Sequence, residues 1–454
     1  MNQKLKFLNP LIAPLLSLGF VVCSSTPFLT FISLKLQVED FTETVIGIVQ
    51  SSFYLGFLIG SLRAEKIIAR VGYIRSFVCF SAIFGATVLI QGMYISAILW
   101  TAMRIIGGVS IATLYVIIES WLLCGSSKKT RGKTLSLYMI ALYGAQSFSQ
   151  LIIDVINIET ITPFLVFGIL CYLSIIPISI NYSKTPETSH EIVKKSYLEV
   201  YKASPLSFWG SLASGIILGA IYSFLPIYAK LNGLKVSYIM SITIAGGFLL
   251  QWPIGYLSDI FDRRKVLIGS SLCAVVPSIL MIFFSDVSYL AYFLCFILGG
   301  FTFVLYPISI SQACDRFDTK FVPFVVGFMA MTYGIGAIIG PFVTSLFMEI
   351  KIYALFLFIA IVSSLLAIIG IYFRIKYPKI TPKEEKSEFM PISASAPIGT
   401  DIASKTIEQN KENIVESFKH EDKPKEDTKE EILNGKDKTE EKASNDQENL
   451  NGKQ

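Results

Sequence analysis

One basic side chain stands deep inside an apolar run: Arg104, in 98-ILWTAMRIIGGVSIATLYVIIESWLL-123. A guanidinium in hydrocarbon is costly and is usually kept because it binds something. It lies about six residues, or ~9 Å of helix rise, from the nearer end of that run. Gly108 and Tyr115 share its face. It can hold an anionic group of a solute, influence a neighbouring proton site, or pair with Asp154 as an interhelical ion pair. Asp154 closes a polar stripe of Tyr143, Ser147, Gln150 and Asp154, spaced i, i+4, i+7, i+11, with Gln146 at its edge. At 100° per residue these side chains fall within about 40° of one face. Lipid does not solvate such a stripe. It therefore faces either a central cavity, which is the expectation here, or a neighbouring helix. Tyr222 and Tyr306 are further candidates to contact a solute.

A second group of residues suits gating. The stretch 255-GYLSDIFDRRK-265 carries Asp259, Asp262, Arg263, Arg264 and Lys265 between two apolar runs. A carboxylate such as Asp259 can accept hydrogen bonds from the free N–H groups at a helix start, worth about 0.3–1 kcal/mol exposed and up to ~2 when partly buried. Other chemistries find no residues. His190 and His420 are the only histidines and both sit in polar segments, so a histidine metal or proton site within the apolar runs is excluded. The seven cysteines form no CxxC pair and read as small packing residues. No GxxxxGK[ST] loop is present, so ATP hydrolysis is not the energy source. No catalytic site, metal or cofactor is expected.

The elements that position these residues follow from composition. The chain is 53% hydrophobic and 16% charged, with a mean hydropathy of +0.59. Such a chain needs a bilayer as solvent. Twelve stretches are long enough to cross one: 8–33, 44–62, 76–95, 98–123, 134–157, 162–181, 207–229, 237–257, 266–285, 288–312, 321–347 and 352–373. The first is too long for a signal-peptide core and reads as a retained span. The split of the third from the fourth rests on Gln91–Ser96 alone. Lys and Arg number 19 on one side of this arrangement and 4 on the other. The bias places both termini in the cytoplasm, and the membrane is expected to be a bacterial inner membrane.

Residues 1–380 carry 27 basic and 16 acidic side chains; residues 381–454 carry 12 and 18. The basic residues form no continuous stripe, so nucleic acid is not an expected partner, whereas anionic lipid is. The expected organisation is a six-helix bundle over 1–181, a cytoplasmic linker over 182–206, a second six-helix bundle over 207–375 and a charged, disordered cytoplasmic tail over 376–454. A monomer is expected.

The two bundles repeat. Tyr143-Gly144 recurs as Tyr333-Gly334, 190 residues on. Gly107-Gly108 followed by Leu114-Tyr115 recurs as Gly299-Gly300 followed by Leu305-Tyr306, with one residue less between them. The turn 69-ARVGYIR-75 lies 190 residues before 259-DIFDRRK-265. Duplicated halves of this kind frame a central site that opens alternately to each side.

The segment 255-GYLSDIFDRRK-265 resembles the cytoplasmic signature of the major facilitator superfamily. The runs 118-IESWLLCGSSKKTRGK-133, 251-QWPIGYLSD-259 and 304-VLYPISISQAC-314 resemble its YcaD-like branch. The resemblance covers roughly residues 8–375. It implies an all-α membrane protein of twelve transmembrane helices in two pseudo-symmetric bundles, and alternating-access transport. It also implies that Asp259 latches onto the start of span five near Lys133, and that Arg263, Arg264 and Lys265 face anionic lipid. The first-half copy keeps Arg70, Gly72 and Arg75 but has Ala69 at the Asp position; Glu65, one turn earlier, is the candidate substitute. Glu119 is the expected partner of Arg70 or Arg75 rather than a ligand of substrate. The superfamily often has an Arg at the place of Arg104 followed by a glycine face; here the second such glycine is Ser110. The run 336-GAIIGP-341 resembles the superfamily's antiporter motif, but that motif normally lies in span five, so antiport is not inferred.

The expected function is secondary transport of a small solute. Proton coupling through Asp154 or Glu119 and facilitated diffusion both stay open. A non-transporting receptor or scaffold acting through the charged tail is the alternative; a membrane enzyme lacks any His/Asp/Glu cluster.

Overall fold

The chain is described here by a computed structural model, which covers residues 3–124, 131–180, 196–284, 287–318, 321–351 and 353–377, and Phe389. Among these the regular structure is helical throughout: α1 (Gln3–Val38), α2 (Glu43–Val71), α3 (Tyr73–Met93), α4 (Ala97–Cys124), α5 (Arg131–Ser149), α6 (Ile152–Val155), α7 (Thr162–Leu173), α8 (Ile175–Ile180), α9 (Tyr197–Ala203), α10 (Pro205–Leu231), α11 (Val236–Ile260), α12 (Arg263–Phe283), α13 (Ser288–Phe303), α14 (Leu305–Cys314), α15 (Val322–Met348) and α16 (Ala354–Lys376). Only helices satisfy every backbone group within the segment, which a lipid environment requires.

Among the described residues, eleven helices are long and apolar enough to cross a membrane. The twelfth expected crossing is the fifth, which breaks into α5 and α6 at Gln150–Leu151 and carries the polar stripe. Two other crossings are also interrupted, each for a stated reason. Pro177 and Pro307 cannot donate to the carbonyls four residues back, Leu173 and Phe303, where α7 and α13 end. The narrow break between the third and fourth spans is pinned by Trp100, whose indole N–H donates to the carbonyls of Gln91 (3.1 Å) and Tyr94 (2.9 Å). Gly72, at φ 89°, makes the tight turn from α2 to α3; a side chain is strained in that backbone region. The expected linker over 182–206 is helical in its described part, as α9, and α10 already begins at Pro205. Residues 181–195 and the tail beyond 377, Phe389 apart, lie outside the described residues.

The helices form two six-span halves. In the first, α2 packs on α4, α3 on α4 and α7, and α1 on α5 and α7. In the second, α11 packs on α13, α12 on α13 and α16, and α10 on α15 and α16. The halves meet through α2 with α15, α5 with α11, and α1 with α10.

The repeat holds at the level of single contacts. A methyl group on Gly56 would strike the carbonyl of Ile105, and one on Gly108 the carbonyl of Phe53. In the second half Gly246 lies on the carbonyl of Phe296 and Gly299 on that of Thr243. These are the same crossing, 190 to 191 residues later. Gly108 therefore corresponds to Gly299, one residue off the alignment of the two Gly-Gly pairs. That shift removes the spacing mismatch, because Tyr115 and Tyr306 are also 191 apart.

Candidate functional site

Between the halves lies a cavity of about 240 Å³. The end of the bundle that carries the charged turns at 63–75 and 259–265 is here the basic end. At the opposite end α2 and α15 close on each other. The Thr44 hydroxyl donates to Glu349 Oε1 (2.5 Å), Gly47 faces Ser345, and Ser51 Oγ donates to the Ile338 carbonyl (2.7 Å). Contact continues to Leu58 against Gly334; beyond it, a methyl group on Gly327 would meet nothing within 4 Å among the described residues. Ser61, Leu62 and Glu65 of α2 then face Met331, Gly327 and Pro323 of α15 across the cavity.

The second seam, α5 with α11, closes the same end. Ser147 Oγ donates to the Ser241 carbonyl (2.8 Å) and Ser241 Oγ to the Ser147 carbonyl (2.6 Å). Ser237 donates its hydroxyl to the Asp154 carboxylate. The rings of Tyr143 and Phe248 lie 5.3 Å apart.

The polar stripe of span five is thus corrected. Ser147 and Asp154 face α11 and bond across the seam; polar groups in a low-dielectric setting find each other. Gln150 is fully buried, and its amide has no hydrogen-bond partner among the described residues. Of the expected solute contacts, Tyr115, Gln146 and Tyr222 line the cavity. Tyr306 stands behind it, 4.9 Å from the ring of Tyr333, which does line it.

Arg104 is buried away from the cavity lining. Its Nη2 donates to Gln50 Oε1 (3.0 Å), and its guanidinium lies 4.3 Å from the ring centre of Phe53 and 5.7 Å from that of Phe28. Among the described residues no carboxylate pairs with it, and Nε has no hydrogen-bond partner. The pairing with Asp154 is not formed.

Sequence reasoning missed the wall that α2 supplies. Tyr54, Leu58, Ser61 and Glu65 all line the cavity. Their spacing is again i, i+4, i+7, i+11, so the signal was present. Phe53, Phe57 and Tyr333 complete the aromatic wall.

At the basic end the second-half turn is tied down. Arg263 pairs with Asp315 (2.7 Å) and, across the turn between α11 and α12, with Asp259 (3.2 Å). Arg264 pairs with Asp262 (2.9 Å) and donates to the Tyr377 carbonyl (2.6 Å). Both arginines are buried, so the expectation that they face lipid is corrected for these two; Lys265, of the same cluster, is exposed. Burial, then the neighbouring Arg264, holds the Arg316 guanidinium below its usual pKa, against the pull of Asp262 and Asp315. Asp259 Oδ1 accepts from the backbone N–H of Phe389 (2.8 Å), and the Phe389 ring sits over Gly255. The expected latch of Asp259 onto the start of span five, near Lys133, adjoins residues 125–130, which lie outside the described ones. In the first half Arg70 and Arg75 are exposed and form no ion pair among the described residues. Glu119 instead accepts from the Tyr138 hydroxyl (2.6 Å) and lines the cavity. Its expected role as the partner of Arg70 or Arg75 is corrected accordingly.

Asp154→Ala removes one bond of the seam. Because the carboxylate is exposed, a loss of about 1 kcal/mol is expected. The closed-to-open ratio at that end should fall about fivefold, read by spin-label distances between positions 42 and 351.

Two helical halves around an aromatic cavity, zipped at one end and, among the described residues, open at the other, suit a polytopic membrane transporter. The Major Facilitator Superfamily model matches residues 14–247 and 231–420, and the chain belongs to that superfamily. It is 28% identical over 324 residues to the uncharacterized MFS-type transporter YcaD of Escherichia coli O6:K15:H31 (strain 536 / UPEC), covering 70% of this chain and 84% of that one. Its fold is similar to that of the nucleoside transporter NupG (TM-score 0.70, 15% identity, 81% of this chain and all of that one). It is also similar to a bacterial homologue of the human lysosomal transporter Spinster, in an inward-facing and unoccupied conformation (TM-score 0.60, 12% identity, 90% and 99%).

Proposed function

We propose that this chain is a secondary transporter that carries a small solute through the cavity by alternating access. The basic end faces the cytoplasm of a bacterial inner membrane. The observation that carries the reading is the course of α2 along α15: in contact from Thr44–Glu349 to Leu58–Gly334, then apart around Glu65 and Gly327. A closed end facing an open one, across a seam of small residues and single hydrogen bonds, suits a two-state rocking of the halves. The 19 to 4 bias of Lys and Arg supports the direction. In this reading the bundles span 1–181 and 207–375, the linker 182–206 and tail 376–454 are cytoplasmic, and the protein works as a monomer. Asp259 and the turns around Arg70, Gly72, Arg75, Arg263 and Arg264 bias the inner gate. Energy comes from a solute or proton gradient.

The test is uptake into proteoliposomes of solutes that raise the melting temperature of the purified protein. The full chain and a chain ending at residue 380 should move the same solute. Stabilising solutes that neither chain moves, with a cellular phenotype lost on removing the tail, would favour the scaffold reading.

A further inference from the structure

We propose that a small pocket at the basic end of the second half binds a phosphate group, with Arg316, Lys202 and the start of α10 as its donors. The site is separate from the central cavity, and its binding does not depend on the transporter reading. The pocket has a volume of about 60 Å³, room for one phosphate-sized group. It lies where the linker helix α9 gives way to α10, against the start of α12 and the ends of α14 and α16. Its described lining carries Lys202, Arg264 and Arg316 and no Asp or Glu.

The positive charge there is only partly spent. Arg264 gives Nε and Nη2 to Asp262 and Nη1 to the Tyr377 carbonyl, so it forms a neutralised wall. Arg263 is paired with Asp315 and Asp259. Arg316 and Lys202 are the excess. Arg316 Nη1 donates to the Ala203 carbonyl (3.1 Å), and neither Arg316 nor Lys202 forms an ion pair among the described residues. Lys202 is exposed and can reach over the mouth. Asp262 and Asp315 act on Arg316 from beyond ion-pair contact, and burial together with Arg264 outweighs them. An oxyanion beside Arg316 would offset both.

Two further observations point to a ligand rather than to bare charge. The start of α10, Ser204, Pro205 and Leu206, lines the pocket and is buried. Ser204 stands at the cap position, but its hydroxyl pairs with that of Ser207 (2.7 Å) and makes no capping bond to the helix N–H groups. The first N–H groups of a helix have no acceptor within it, and a buried start needs one from elsewhere. An anion supplies it and is favoured by the helix dipole. Gln312 of α14 also lines the pocket; it is 5% exposed, and its Oε1 has no hydrogen-bond partner among the described residues. A phosphate ester with a free hydroxyl on its alcohol part gives that oxygen a donor and the cations an oxyanion. Two sources share this chemistry: the headgroup of an anionic phospholipid and a soluble glycerophosphate.

The test has two arms, both on the full-length protein. The first is equilibrium binding of glycerol 3-phosphate in phosphatidylcholine nanodiscs at fixed ionic strength. Saturable binding that glycerol does not compete away is expected. Arg316→Gln should weaken it about tenfold, the loss expected of a hydrogen bond to a charged group. Gln312→Leu should weaken it about fivefold, and Lys202→Gln, at the exposed edge, about two- to fivefold. Lys265→Gln, an exposed cation outside the pocket, should leave it unchanged. If Arg316→Gln does not fold, Gln312→Leu and Lys202→Gln decide. The second arm is native mass spectrometry of protein released from nanodiscs that contain phosphatidylglycerol. One such lipid kept by the wild type and lost in Arg316→Gln or Lys202→Gln assigns the site to a headgroup; glycerol 3-phosphate bound without it assigns the site to a soluble phosphate. Binding in neither arm, binding that all three pocket variants leave unchanged, or an equal loss in Lys265→Gln overturns the proposal.

Discussion

Gly56→Val is expected to leave no stable, folded protein in the membrane. The α2–α4 crossing brings two backbones into contact, with Gly56 on the Ile105 carbonyl and Gly108 on the Phe53 carbonyl. A side chain there meets backbone, which cannot rotate away. Overpacking commonly costs 1–3 kcal/mol where neighbours can adjust, and a larger loss, about 3 kcal/mol or more, is expected where they cannot. Separating the helices would also remove the cavity wall formed by Tyr54 and Tyr115. The repeat sharpens the prediction: Gly246→Val, at the matching crossing of α11 with α13, should fail in the same way. Gly144→Val and Gly269→Val, where nothing lies within 4 Å of an added Cβ, should fold. Size-exclusion profiles and melting temperatures of the four variants decide. A Gly56→Val protein melting with the wild type would contradict the crossing.

Arg104→Met is expected to hold or raise thermal stability while depleting the alternate state. In the conformation described, the guanidinium is buried and, among the described residues, Nε has no hydrogen-bond partner and no carboxylate pairs with the group. Replacing such a charge by an apolar group of similar size is often neutral or stabilising. Opening the zipped end would admit water to Arg104 and relieve the unsatisfied donor, which is worth about 1–3 kcal/mol. Arginine therefore favours the alternate state, and methionine removes that bias. The population open at the Thr44–Glu349 end should fall about 5- to 150-fold. This is the opposite of the Asp154→Ala effect under the same readout. A population that rises in Arg104→Met would return the residue to a packing role.

The fold was legible because a bilayer allows so few solutions. Apolar length alone marked the spans, and Gln91–Ser96 was enough to find the turn that Trp100 pins. The fifth span was harder, since its polar stripe lowers its hydropathy and its helix breaks at Gln150. The repeat was visible, but the Gly107-Gly108 and Gly299-Gly300 doublets align in two ways, and only the carbonyl contacts choose between them. The site was less legible. Helical spacing identifies a face but not its neighbour. The stripe from Tyr143 to Asp154 and the stripe from Tyr54 to Glu65 have identical spacing. One faces a partner helix and the other faces the cavity. The more polar of the two drew attention, and it lies at the seam, where Ser237 and Ser241 of α11 answer it. Charge carried a similar trap. Arg263 and Arg264 read as surface cations until Asp315 and Asp262 appear beside them.

The most direct test of alternation is a pair of spin-label distances in lipid nanodiscs. One pair, at Thr42 and Lys351, reports the zipped end; the other, at Lys66 and Gly327, reports the basic end. The account predicts two populations at each end that shift in opposite directions, one end opening as the other closes, when a transported solute is added. A single unchanging distance at both ends, or both ends widening together, would contradict it.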